Sequence, residues 1–202
     1  AAHNNPNIKW IIVEFHKPFF SSPNGCDSSA CKGSKPFTET YQPLFDQNKV
    51  DLVLYAHVHN YERTYPVVFN SGNPLKPTKT TNERCDYTNP KGTIYAIVGT
   101  GGNGLHTLIS GKKADFMAIQ QASRFGQLDL TLSTNGNKLT GQFFANEPGV
   151  AGKCADSSKI LDHFTITKGT GGNSISSIPA TALDKKEGQA NISFVPTLNP
   201  FT

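Results

Sequence analysis

Two apolar runs that each end in histidine constrain this chain most. "IKWIIVEFH" (8–16) and "DLVLYAH" (51–57) are near-continuous aliphatic and aromatic stretches, as expected of strands covered on both faces. Between them, "FTETYQPLFDQNKV" (37–50) places Phe37, Tyr41, Leu44 and Phe45 at helical spacing. Thr38 is the candidate cap of that helix, and Pro43 is a point where it should bend or shorten. Strand, helix and strand at this separation predict a βαβ unit with parallel strands. His16 and His57 then fall at the same C-terminal edge of one sheet, where open α/β sheets bind ligands.

His57 and His59 are separated by a single residue, so in extended backbone both would project to one side. Two imidazoles so placed can bind one metal ion or two neighbouring ones, and His16 adds a third. Tyr61, Glu62 and Arg63 follow at once. Their expected work is to orient the histidines, shape the entrance or pair locally, rather than to take part in chemistry. The loop "GTGGNG" (99–104) could approach this edge, but it lacks the helix-opening context of a dinucleotide fingerprint. His106 and His163 read as ordinary loop or strand residues, and His3 as part of a disordered terminus.

The rest of the chain is rich in strands. "TYPVVFN" (64–70) and "TIYAIV" (93–98) read as strands flanking a long surface excursion, and 113–123 as a helix. "FGQLDLTLS", "KLTGQFFAN" and "LDHFTIT" alternate or are β-rich, with "TNGN" a hairpin turn between the first two. After Lys168 the texture changes. Residues 1–168 are expected to form the domain and 169–202 a Gly/Ser/Thr/Pro-rich linker or extended tail. A chain of 202 residues suits one domain with such a tail.

Composition narrows the setting. The net charge of +4 comes without a Lys/Arg run, which argues against a nucleic-acid groove. No stretch approaches the ~18 apolar residues of a membrane span. Cys26 and Cys31 enclose a polar loop suited to a local disulfide, which by elimination leaves Cys85 to pair with Cys154. The even cysteine count and the "NIS" glycosylation sequon at Asn191 point to a secreted or cell-surface protein. No signal peptide or initiator Met is present, so the N-terminus "AAHNNPNIKW" is expected to come from processing or cleavage.

Together, "WIIVEFHKPFFSS" and "DLVLYAHVHNYERTYPV" resemble the last two metal-binding blocks of purple acid phosphatases, within the calcineurin-like metallophosphoesterases. "TIYAIVGTGGN" and the closing β-rich segments follow the family's order, so the resemblance covers roughly residues 8–167. It implies an α/β fold: the second half of a four-layer α/β/β/α sandwich, β-rich toward the C-terminus. It also implies a phosphatase that hydrolyses phosphate monoesters, or diesters, by attack of metal-bound hydroxide. His16 and His57 would bind the divalent or second metal and His59 the first, in a dinuclear centre of Fe with Zn, Mn or Fe. These three histidines are thus the implied catalytic and metal-binding residues.

Departures from the family pattern are specific. Ala56 stands where the family usually has glycine. Gly25 and Cys26 stand where plant-type members carry a substrate-binding histidine pair, which leaves Lys17 as a candidate general acid. The earlier blocks, which bring an aspartate, Gly-Asp-x-x-Tyr and Gly-Asn-His, do not precede His16. The expectation is therefore a missing N-terminal half of the domain, joined in cis before cleavage or associated in trans, with this fragment alone inactive. The alternative reading is a non-catalytic extracellular structural or binding protein that reuses the fold.

Overall fold

Alternation within the apolar strands decides the architecture. In the computed structural model, which describes residues 2–22, 32–109, 111–169 and the backbone of 190–194, consecutive strand residues enter different cores. β2 (Leu52–Tyr55) is fully buried: Leu52 and Leu54 join one cluster, while Val53 and Tyr55 join another. β7 (Ile94–Val98) divides in the same way, with Ile94, Ala96 and Val98 on one side and Tyr95 and Ile97 on the other. A strand with no polar face must lie between two apolar layers, and this one does.

β1 (Ile12–Glu14) pairs in parallel with β2, Ile12 opposite Leu52 and Glu14 opposite Leu54. β2 in turn runs parallel to β7. β3 (Tyr61–Thr64) and β8 (Met117–Gln121) complete this sheet antiparallel, in the order β1-β2-β7-β3-β8. β1 is shorter and less buried than its apolar run suggests, because it lies at the sheet edge.

The second sheet contains β6 (Asp86–Thr88), β9 (Gly126–Leu132), β10 (Lys138–Ala145), β11 (Ile160–Thr167) and β12 (Ala190–Phe194). Its order is β12-β9-β10-β11-β6. The "TNGN" segment turns β9 into β10 as expected. Leu128, Leu130, Leu139, Phe143, Phe164 and Ile166 meet Leu52, Leu54, Ile94 and Ala96 in the cluster between the sheets. β4 (Val67–Val68) and β5 (Thr78–Lys79) form a small separate ribbon. Part of the segment after Lys168 thus adds an edge strand, β12, to β9.

α1 (Lys35–Gln47) fills the connection between β1 and β2, so the βαβ unit is present. Its cap is Ser34 and not Thr38, which lies one turn inside and bonds the carbonyls of Ser34 and Phe19. Pro36 occupies the first turn, where no N–H is needed, and the helix continues through Pro43. The residues at helical spacing do not form its buried face: Thr38 and Gln42 do, and Phe37, Tyr41 and Leu44 are exposed. Phe45 packs against the second cluster.

Residues 113–123 are not helical. Met117–Gln121 is a strand because its register against β3 buries Met117 and Ala118, and that pairing outweighs the helix preference of Met, Ala and Gln. The strand read at 64–70 breaks at Pro66, and the pairing of β3 begins three residues earlier, at Tyr61. Cys85 and Cys154 form a disulfide that ties the surface excursion to the second sheet. Cys26 and Cys31 lie outside the described residues.

A fully buried ion pair crosses between the sheets. Arg63 of β3 donates from Nε to Asp162 Oδ2 at 2.6 Å and from Nη2 to Oδ1 at 2.9 Å, both side chains fully buried. Tyr61 donates to the same carboxylate at 2.7 Å, and Arg63 also donates to Tyr87 and to the carbonyl of Arg84. Burial works to lower the Arg63 pKa, but Asp162 outweighs it and holds the guanidinium above its ordinary range. Replacing Asp162 with Ala leaves a buried guanidinium without its anion and is expected to cost about 3–5 kcal/mol in urea unfolding. The double variant Arg63→Met/Asp162→Leu should recover most of that loss.

Candidate metal centre

The chain leaves β2 through two tight turns that place the histidines. Val58 N–H bonds the carbonyl of Ala56 at 2.7 Å, and Asn60 N–H bonds that of Val58 at 2.8 Å. His57 and His59 are the apices of these three-residue turns, so the backbone is not extended here as the one-residue spacing suggested. His57 has φ 63°, the rare and strained left-handed form of the γ-turn. Val58, between the apices, is fully buried in the second core cluster and fixes the turn to the domain. Gly99 lies beneath it so closely that a Cβ would meet the Val58 carbonyl oxygen at 1.9 Å. Only glycine permits that approach.

His16 joins from the parallel strand, its carbonyl accepting from Ala56 N–H at 3.1 Å. His16 Nε2 faces His57 Nδ1 at 3.1 Å, with the rings edge to face. Two nitrogens that share one ion at about 2.0–2.1 Å stand about 3.0–3.4 Å apart at tetrahedral or octahedral angles. The observed separation fits that bite, and it equally fits one imidazole N–H bonded to the other ring when no ion is bound. Burial lowers the His57 pKa, and His16, Lys17, His59 and His106 add to the effect, so a proton is disfavoured on that ring.

His59 is oriented differently. Its Nδ1 lies 2.9 Å from the carbonyl of Gly104, an acceptor only, so Nδ1 carries the proton and the lone pair of the neutral ring is on Nε2. His106 stacks on it at 4.5 Å with rings 21° apart, and the two residues exchange hydrogen bonds. His106 is therefore not the ordinary loop residue that the sequence suggests, because a loop without periodic signal brings it against His59. Among the described residues, no group of three His, Cys, Asp or Glu could hold one ion. The arrangement is a pair plus a single imidazole.

Tyr61, Glu62 and Arg63 occupy alternate faces of β3. Tyr61 and Arg63 point between the sheets to Asp162, whereas Glu62 points the other way. Glu62 accepts from Ser22 N–H at 3.0 Å, Asn60 Nδ2 at 2.9 Å and Gln120 Nε2 at 2.7 Å. It therefore ties the loop after His16 to the strand after His59. Burial raises its pKa, and these donors oppose the rise. His163 lies apart, on β11 against Asp156, and His3 lies in a short 3-10 turn at Ala2–Asn4. Gly25 and Cys26 are outside the described residues; the side chain of Asn191, on β12, is not described.

No protein-family model matches the chain. It is similar to "Probable inactive purple acid phosphatase 1" of Arabidopsis thaliana, 31% identical over 167 residues, 79% of this chain and 23% of that protein. Purple acid phosphatase of Glycine max is 31% identical over 153 residues, 73% of this chain and 30% of that protein. Acid phosphatase type 7 of Danio rerio is 28% identical over 179 residues, 82% of this chain and 36% of that protein. Among solved structures, the purple acid phosphatase from yellow lupin seeds matches with TM-score 0.60 and 24% identity, covering 88% of this chain and 29% of that one. The chain spans from 16% to 36% of the length of the first curated relatives it matches.

The strain at His57 yields a prediction. Glycine adopts the left-handed conformation freely, whereas an L side chain there costs about 1–2 kcal/mol. His57→Gly should therefore be more stable than His57→Ala by about 1 kcal/mol in thermal unfolding, and equal stability would remove the strain argument.

Proposed function

We infer that this chain, a purple acid phosphatase-type metallophosphoesterase region matching the C-terminal part of the domain, supplies the histidine side of a phosphatase centre. The parent protein would be an exported, metal-dependent hydrolase of phosphate monoesters, or of diesters. The observation that carries this reading is the 3.1 Å approach of His16 Nε2 to His57 Nδ1 at the C-terminal edge of parallel strands. His16 and His57 would hold one ion and His59 the other, with Fe and Zn, Mn or a second Fe as the metals and carboxylates from the N-terminal half of the domain. When bound, such a pair of ions supplies Lewis-acid charge for phosphate and activates water as nucleophile.

The chain's own residues do the positioning. The left-handed turn at His57 aims Nδ1 toward His16, and the Gly104 carbonyl keeps the His59 lone pair on Nε2. Glu62 holds the loop after His16 and the strand after His59 in one register. Lys17, next to His16 and exposed, would offer a cation to the phosphate or a proton to the leaving group. The disulfide and the mild positive charge suit an exported protein that handles an anionic substrate.

A second reading has a specific support: two of the Arabidopsis relatives carry names that include "inactive". In that case the chain belongs to a phosphoesterase-fold protein that binds without turnover. Hydrolysis of p-nitrophenyl phosphate by the complete parent protein separates the two. The metallophosphatase reading predicts turnover that falls at least ~10²-fold in both His57→Ala and His59→Ala. Turnover that is near normal in both variants, or absent from the metal-loaded parent, would contradict it.

A further inference from the structure

The loop between β7 and β8 meets His59 and its neighbour Asn60 at several points. Its Gly99 N–H bonds the Asn60 carbonyl, its Gly104 carbonyl takes the His59 Nδ1 proton, and its His106 stacks on the ring. His59 N–H donates to His106 Nδ1 at 3.2 Å, and His106 N–H donates to the His59 carbonyl at 2.9 Å. Because His106 Nδ1 accepts, the proton of its neutral ring is on Nε2, so each ring is constrained by its partners to one tautomer.

We propose that His106 is a positioning residue for His59: it fixes the backbone and ring plane from which Gly104 selects the ligand tautomer. Rotation of the His59 ring would break the Gly104 bond and the stack together, because both restraints come from one loop. A His106 that merely filled surface space would have no reason to exchange backbone hydrogen bonds with the same residue it stacks on. The purpose of this clamp rests on the reading of His59 as a metal ligand, but its effect on the ring does not.

The test uses the chain labelled with 15N-histidine, free of metal, at about pH 8, where ordinary imidazole is neutral. Long-range 1H–15N correlations should show His59 protonated on Nδ1, and His106→Ala should give a mixture of tautomers. In the complete parent protein, Zn2+ titration against a chelator should then show one site bound about 10- to 100-fold more weakly in His106→Ala. His106→Phe, which keeps the stacked ring and loses the Nδ1 acceptor, should lose less and covers the case in which the alanine variant fails to fold. If both variants keep the wild-type His59 tautomer and Zn2+ affinity, the positioning role is overturned. If His59→Ala leaves both Zn2+ sites of the parent protein unchanged, the metal reading of His59 fails, while the tautomer spectra still decide the role of His106.

Discussion

The buried pair of Arg63 and Asp162 is the constraint on which the rest depends. Two charges with no exposure are tolerable only when each is met by several partners, and here Tyr61, Tyr87 and the Arg84 carbonyl complete the set. The pair joins β3 of one sheet to β11 of the other. It thereby fixes the strand that begins two residues after His59. A side chain at the end of a strand is only as well placed as the strand, and this strand is held by charge-assisted bonds across the core.

Glu62 carries that constraint to the site. It lies on the opposite face of the same strand, where it collects donors from Ser22, Asn60 and Gln120. The loop after His16, the turn through His59 and the edge strand β8 thus converge on one carboxylate. Below the turn, Val58 is buried and Gly99 leaves no room for displacement. The strained left-handed backbone of His57 is held in place by these neighbours.

Much of this was legible because the relevant signals are local. The fully apolar "DLVLY" requires two covered faces, and β2 has them; the βαβ spacing places His16 and His57 at one edge, and they meet there. The purple acid phosphatase resemblance followed from contiguous motifs and agrees with the relatives and the lupin fold. Other features depend on tertiary context. Met117–Gln121 has helix-forming residues and becomes a strand only because β3 offers an edge. The tight turns at His57 and His59 replace extended backbone where the distant Gly99 admits the Val58 carbonyl at close range, a contact that no local pattern reveals. His106 sits 47 residues from His59 in a loop without periodicity, and no single-sequence pattern links the two.

The fold and the meeting of His16 with His57 are consistent with the proposed metal centre. X-ray absorption at the metal edges of the complete parent protein, compared with His16, His57 and His59 variants, tests this most directly. The account predicts one ion with two imidazole nitrogens at about 2.0–2.2 Å that are lost with His16 and His57, and a second ion that loses one with His59. Metal shells free of imidazole, or unchanged in all three variants, would contradict it.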